Sequence, residues 1–482
     1  MSLPTWLLKR RGASRDTDVI VVGAGLSGLV CAAVLARAGK RVVVVDRARR
    51  PGGRLKTAQF QGYAVDLGPV VWEAPDLPES LKLAGVADTA LADIDVRTQL
   101  RVAATDEEGH LGKVVPLPVP GAVPSPATLD AVRSLYGIPP RVFAGMGDQY
   151  ATLSALGDEE IAAERDTTLS EWILREEIEK PVANALLRSA MLLGSQNPEA
   201  ASIAALERRV RVLGADPVHR LVSFGDAPIA GAQGVIGALV DSLLEAGGEL
   251  RLGTQAVGLA LEEGRCVGLA VCREEQPFLE AIESKAVVLA MPRHDCLDLI
   301  PGEAQDFLQG TVAGNLGHSL GVAWGIKASD VEALADAPVV LDAVPGSGDL
   351  SLSAGERLSL FRASALAPRV APPGRALVLG RAALPAAGIR DAAAIEGTGE
   401  RLRAALELML PGASASIEWE HHWLADEDGA DPLLAGTLPE TVPGIGGVRL
   451  ANAEVRLPGM PSTGSGAAAR AGRLAAERIL AE

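Results

Sequence analysis

A chain of 482 residues that is 48% hydrophobic and 22% charged, with 53 glycines, has the composition of an ordinary folded protein of two or three domains and not of a disordered one. Its net charge of −16 and sequence pI near 5.0 give a surface that repels phosphate, which argues against a nucleic-acid partner and against electrostatic docking to anionic lipid. The four cysteines, Cys31, Cys266, Cys272 and Cys296, have no paired spacing for zinc or dithiol exchange, so the expected compartment is the reducing cytoplasm.

Residues 1–15 read as an N-terminal extension. Arg10-Arg11 is followed by no apolar segment of the roughly 7–15 residues that an export signal needs. No run of about 18 apolar residues occurs anywhere, so the protein is expected to be soluble or at most peripherally attached to a membrane.

Asp18–Val22 is a short β-branched run that predicts a buried parallel strand, and Leu26–Ala38 carries apolar residues at helical spacing until Gly39 stops it. Between them stand Gly23, Gly25 and Gly28, the G-x-G-x-x-G pattern in its required strand-to-helix context. Gly23 permits the tight turn, Gly25 lets a pyrophosphate approach the backbone, and Gly28 lets helix and strand pack closely. The helix start at Leu26 and Ser27 offers unpaired N–H groups and a positive dipole end to the phosphates. A second buried strand, Val42–Val45, ends at Asp46, 18 residues beyond Gly28, where a carboxylate can accept hydrogen bonds from an adenosine ribose, with Arg47 beside it. The ligand is a dinucleotide; the pattern alone does not choose between NAD and FAD.

The next residues, Pro51-Gly52-Gly53-Arg54 and then Asp66-Leu67-Gly68-Pro69, resemble the flavin amine oxidase superfamily, which includes monoamine and polyamine oxidases, protoporphyrinogen oxidase and the phytoene desaturases. The resemblance implies non-covalent FAD wrapped by Gly53, Arg54, Gly68 and Pro69, with Arg54 near the pyrophosphate and flavin.

Residues 76–225 mix helices with Pro-rich joints; Val114–Pro126 predicts an extended edge or loop. Thr168–Leu193 and Pro198–Val212 predict helices starting at Ser170 and Pro198, with Ser189–Gly194 read as helix core. From Gly231 a helix runs to Gly247-Gly248, followed by two or three alternating strands and a buried strand at Ala286–Ala290. Gly231-x-x-Gly234-x-x-Gly237 follows no strand and reads as helix packing, which leaves no second fingerprint for NAD(P). In the superfamily this block returns to the FAD domain, and the position of Val257 supplies a backbone amide and carbonyl beside the adenine.

Strand and helix patterns return at 315–340 and 355–420, and Ser364–Leu384 looks like a substrate-domain strand of phytoene desaturases. His421-His422, flanked by Glu418 and Glu420, is the metal-like cluster, but neighbours on a strand point oppositely and no metal is expected. Trp419 and Trp423 suit either a cavity roof or core packing. Finally, Gly447–Leu480 gives a strand, an acid, a turn and a small-residue helix. The resemblance places Glu454 at the FAD ribityl or pyrophosphate, and Pro461, Ser462, Gly464 and Gly466 at the flavin edge. Two residues depart from the superfamily pattern: Ala453 stands for the usual glycine and Ser465 for a frequent glutamate.

The fold class is therefore α/β: a Rossmann-like FAD-binding domain of discontinuous segments, 16–75, 226–304 and 440–482, with an α+β substrate domain from 76–225 and 305–439. The resemblance implies hydride transfer to flavin N5, for which no dedicated acid or base is demanded and no catalytic side chain is named. Tyrosine occurs only at 63, 136 and 150, away from the C-terminal half where amine oxidases build their aromatic cage. A cavity walled by Ala, Leu and Val suits an apolar small-molecule substrate, an isoprenoid first and a porphyrinogen next. The alternatives are an amine oxidase and, from Ala453 and Ser465, a catalytically silent FAD-binding partner protein.

Overall fold

The computed structural model describes residues 17–68, 72–73, 76–86, 92–94, 100–105, 111–117, 130, 133, 138–192, 198–207, 221–223, 231–273, 276–305, 318–334, 340–345, 358–384, 388–426, 438–455, 457 and 464–482. A five-stranded parallel sheet lies at its centre, in the order Glu249–Arg251, Val42–Val45, Val19–Val22, Ala286–Leu289, Val448–Leu450. Its strands alternate faces, as a period of two demands. Val19, Val21, Val42, Val44 and Val288 pack into one core with the helices Leu26–Arg37, Ala232–Glu245 and Gly464–Ala481. Ile20, Val22, Val43, Val45, Val287 and Leu289 pack into a second core with an antiparallel sheet of Thr254–Glu262, Arg265–Arg273 and Gln276–Glu283. Burial on both faces explains why these strands are continuous apolar runs.

The Leu26–Arg37 helix is buried all round from Leu26 to Ala36, because the sheet lies on one side and the two other helices on the other. Helix Asp76–Leu83 adds Leu77 and Leu81 to the same core. Ala84 and Val86 join it too, so this core runs across the sequence boundary drawn at 75.

A seven-stranded mixed sheet forms the second unit, in the order Ile417–Asp426, His318–Lys327, Arg375–Leu384, Leu358–Arg362, Val340–Pro345, Leu100–Thr105, Leu111–Leu117. Helix Ala392–Met409 covers one face through Leu402, Ala405 and Leu406. The opposite face meets the hairpin Thr57–Phe60 and Tyr63–Asp66: Ala323, Leu377, Leu379 and Trp419 pack on Tyr63, Ala64 and Val65. The hairpin is thus the joint that brings the sheet to the dinucleotide unit.

Helices Pro140–Ala155, Leu169–Arg175 and Lys180–Leu192 build a separate core around Leu153, Leu169 and Trp172. The single helix predicted over Thr168–Leu193 is two, because Glu177 takes a φ of 50° between them. Its cap is Thr168, two residues before the predicted Ser170: Thr168 Oγ1 accepts from the Glu171 amide at 3.1 Å while Glu171 accepts from the Thr168 amide at 2.8 Å. Ser189 is helix core, bonded to Tyr150 Oη and to the Leu186 carbonyl. Among the described residues no helix is long and apolar enough to cross a membrane.

Candidate functional site

A cavity of about 590 Å³ opens at the carboxyl ends of the parallel strands. It lies where the strand order reverses between Val19–Val22 and Ala286–Leu289, the place where open α/β sheets bind ligands.

The three fingerprint glycines divide their work. Gly23 has φ 110°, its amide bonds the Val45 carbonyl at 2.8 Å, and a Cβ on it would lie 2.4 Å from the Ala290 carbonyl oxygen. A Cβ on Gly28 would lie 1.9 Å from the Gly23 carbonyl oxygen, so Gly28 serves the packing of helix on strand and does not line the cavity. Gly25 lines the cavity, and a Cβ there would meet no protein atom within 4 Å. It is the bare backbone a pyrophosphate can reach, with Leu26 and Ser27 lining the cavity beside it at the positive end of the helix.

Asp46 also lines the cavity and braces the turn. Its Oδ2 accepts from the Ala24 amide and its Oδ1 from the Ala48 amide, both at 2.7 Å. Each oxygen keeps a lone pair for a ribose hydroxyl. Arg47 reaches across the rim instead: its two terminal nitrogens meet the two Asp295 oxygens at 3.1 Å.

Gly53 and Arg54 come next along the wall, with Gly52 held by the Ala24 carbonyl at 2.8 Å. Gly68 must be bare, since a Cβ would lie 2.0 Å from the Arg54 carbonyl oxygen. The Leu67–Gly68 turn is then gripped from the large sheet. Arg381 Nη2 donates to the Leu67 and Gly68 carbonyls at 2.7 and 2.5 Å, and Trp423 Nε1 donates to the Leu67 carbonyl at 3.1 Å. Trp423 has room because Gly321 lies beneath its ring on the adjacent strand.

Asp66, at the start of that turn, faces away from the cavity. Its Oδ1 accepts from Thr57 Oγ1 at 2.5 Å and from the Ala232 amide at 3.0 Å, capping the helix Ala232–Glu245. Gly231 makes room for it, with φ 81° and a Cβ position 2.5 Å from that oxygen. Gly231 therefore serves the cap of the helix that carries Gly234 and Gly237, and a Cβ on Gly237 would meet nothing within 4 Å, so the expected role in helix packing does not extend to it. Burial pushes the Asp66 carboxyl up to about 6, against the Thr57 and Ala232 hydrogen bonds and the charge of Arg381.

The closing segment returns through the same site. Ser27 Oγ donates to the Ala451 carbonyl at 2.6 Å, and Asn452 Nδ2 to the Met291 carbonyl at 2.8 Å. Ala453, Glu454, Gly464 and Ser465 line the cavity, and Glu454 pairs with Arg293 at 3.6 Å. Gly466 is buried within its helix and is not part of this cavity's lining. Val257 is also off the lining: a β-bulge between Ala256 and Gly258 puts Thr254, Gln255 and Ala256 on the wall in its place. Pro69, Pro461 and Ser462 lie outside the described residues.

The sequence did not single out Lys56, Arg381, His294, Asp295 or Asp298, all of which line the cavity. Lys56 was within reach, because it repeats Arg54 at strand spacing. The 294–298 loop was too, because it follows a parallel strand at the reversal of order. Arg381 had no local signal; only the pairing of distant strands places it here. Trp423 is a wall of the cavity, while Trp419 is in the core against Phe60 and Tyr63, at ring separations of 4.9 and 4.8 Å. His421 shares the face of Trp423, and His422 turns to Glu420 on the other.

The lining is less uniformly apolar than the expected Ala, Leu and Val. Its carboxylates, Asp46, Asp295, Asp298 and Glu454, sit on the segments that follow Val45, Leu289 and Leu450. Of the cations of the described lining, Arg47 pairs with Asp295, while Arg54, Lys56 and Arg381 belong to segments that meet at the Leu67–Gly68 turn, where the Lys56 carbonyl accepts from the Leu67 amide at 2.8 Å.

A family profile described as an NAD(P)-binding Rossmann-like domain matches residues 21–84. Phytoene dehydrogenase of Streptomyces griseus is 51% identical over 61 residues, 13% of this chain and only 12% of that relative's length. Solved structures match along the whole fold. An oxidoreductase from Methanosarcina mazei has TM-score 0.67 at 14% identity, covering 97% of this chain and 100% of its own. Cyclohexylamine oxidase from Brevibacterium oxydans has TM-score 0.60 at 17% identity, covering 96% and 98%.

Proposed function

We propose that this chain, which has the fold of the flavin amine oxidase superfamily, is an FAD-dependent oxidoreductase that takes hydride from a C–H bond of a small molecule with an apolar body, isoprenoid or porphyrinogen in kind. One observation carries the reading. A single cavity runs from the fingerprint turn to Leu67, Trp423, Leu424 and Ala425, so a dinucleotide laid on the fingerprint would point towards an apolar wall on one continuous surface.

The residues fit such a cofactor. The bare Gly25 and the helix start at Leu26 and Ser27 would hold the pyrophosphate, Asp46 the ribose, and Arg54 and Glu454 the middle of the molecule. When bound, FAD supplies the hydride acceptor. The positive end of the Gly464–Ala481 helix, at Gly464 and Ser465 on the cavity wall, favours negative charge placed before it. Leu67, Trp423 and Leu424 would exclude water and orient the substrate.

Arg381, across Gly321 from Trp423, counts against a substrate ammonium at that wall, which leaves the amine alternative with less support than the apolar one. Ala453 and Ser465, the two departures on which the silent FAD-binding alternative rests, both line the cavity. An anaerobic reduction screen separates the three: bleaching by a polyprenoid or porphyrinogen supports the proposal, bleaching by amines alone overturns it in favour of an amine oxidase, and flavin that none of these reduces favours the silent protein.

A further inference from the structure

We propose that the substrate of this cavity is an amphipathic acid, whose carboxylate is met by Lys56 beside Arg381 at the Leu67–Gly68 turn. This rests on the reading of the cavity as a site for an apolar substrate, and adds the charge at one end of that molecule.

The turn fixes both cations. Arg381 is pinned by its two hydrogen bonds to the Leu67 and Gly68 carbonyls, and the Lys56 backbone by its bond to the Leu67 amide. Both residues line the cavity, Arg381 facing Trp423 across Gly321 in the strand register, and the carboxylates of the described lining are carried on other segments. Asp66 tempers Arg381 from behind, but it is 4% exposed and spends its bonds on Thr57 and Ala232. Lys56 is solvent-accessible, so an anion can reach it from the cavity mouth.

The cofactor's phosphates do not call on the pair at the turn. A dinucleotide carries two phosphate charges, which the fingerprint helix start and Arg54 serve. A wall holding two further cations beside apolar Leu67, Trp423 and Leu424 repels ammonium and rewards an anion joined to a hydrocarbon.

The test uses the flavin-loaded full chain and three probes with one ten-carbon prenyl skeleton: geranic acid, geraniol and geranylamine. Binding is read from perturbation of the flavin absorption. Geranic acid should bind about tenfold more tightly than geraniol, the scale of one charge-assisted contact. Lys56→Met, checked for unchanged flavin content, should remove that ratio, and Lys56→Arg should restore most of it. Equal binding of acid and alcohol, or a ratio that survives Lys56→Met, would overturn the anionic end while leaving the apolar reading intact. Perturbation by geranylamine alone would overturn both.

Discussion

Ser27 and Ala451 lie 424 positions apart and share a 2.6 Å hydrogen bond, Ser27 Oγ donating to the Ala451 carbonyl. It joins the first turn of the fingerprint helix to the end of the strand that closes the parallel sheet. Gly472 completes the joint, since a Cβ there would lie 2.1 Å from the Ser27 carbonyl oxygen. Gly472→Ala should push the two helices apart and cost about 1–3 kcal/mol, the usual cost of overpacking. Ser27→Ala should cost about 1–3 kcal/mol by leaving a buried carbonyl unmet. Urea denaturation checks both, and an unchanged midpoint would break the link between the chain's two ends.

Gly25 and Gly28 make opposite predictions within one motif. Gly25→Ala meets no protein atom within 4 Å and should fold with little change in stability while losing most of its flavin. Gly28→Ala drives a methyl into the Gly23 carbonyl and should destabilise the fold itself, by about 1–3 kcal/mol or more. Thermal unfolding and flavin content, measured together, separate a ligand contact from a packing contact.

Asp66 gives a pH dependence of defined sign. Its folded pKa of about 6 stands above the ordinary 3.8, so the folded state binds the proton more tightly than the unfolded one. The associated stability is fully present below about pH 4 and is lost as pH rises through about 6, by up to roughly 3 kcal/mol. Asp66→Asn keeps the acceptor for Thr57 and Ala232 without titrating. The stability difference between variant and wild type should therefore grow in the variant's favour from pH 4 to pH 7; a constant difference would show that Asp66 does not titrate in that window.

The cysteines should sort by burial. Burial pushes the thiols of Cys31 and Cys296 up to about 12 and that of Cys266 to about 11. In the native protein near pH 8 a thiol reagent should label Cys272 alone, with the other three appearing only on unfolding. Rapid labelling of Cys31 would mean that the fingerprint helix is not packed on all sides.

What the sequence disclosed follows from how local the physics is. The strand and helix around Gly23–Gly28 and the acid at Asp46 are legible because the turn, the helix packing and the Asp46 bond to the Ala24 amide are all set within 30 residues. The role of Asp66 as a helix cap was not legible, since its partner amide is Ala232, 166 positions away. Nor was the Arg381 and Trp423 wall, which depends on two strands of the large sheet coming against the Leu67–Gly68 turn. Nor was the β-bulge between Ala256 and Gly258 at Val257, because register is a matter of pairing.

The most direct test of the central claim is the visible spectrum of the purified chain before and after acid precipitation. The account predicts flavin absorption in the folded protein, about one FAD per chain, released into the supernatant on denaturation because it is held without a covalent bond. A folded, colourless protein that takes up NAD and refuses added FAD would contradict it.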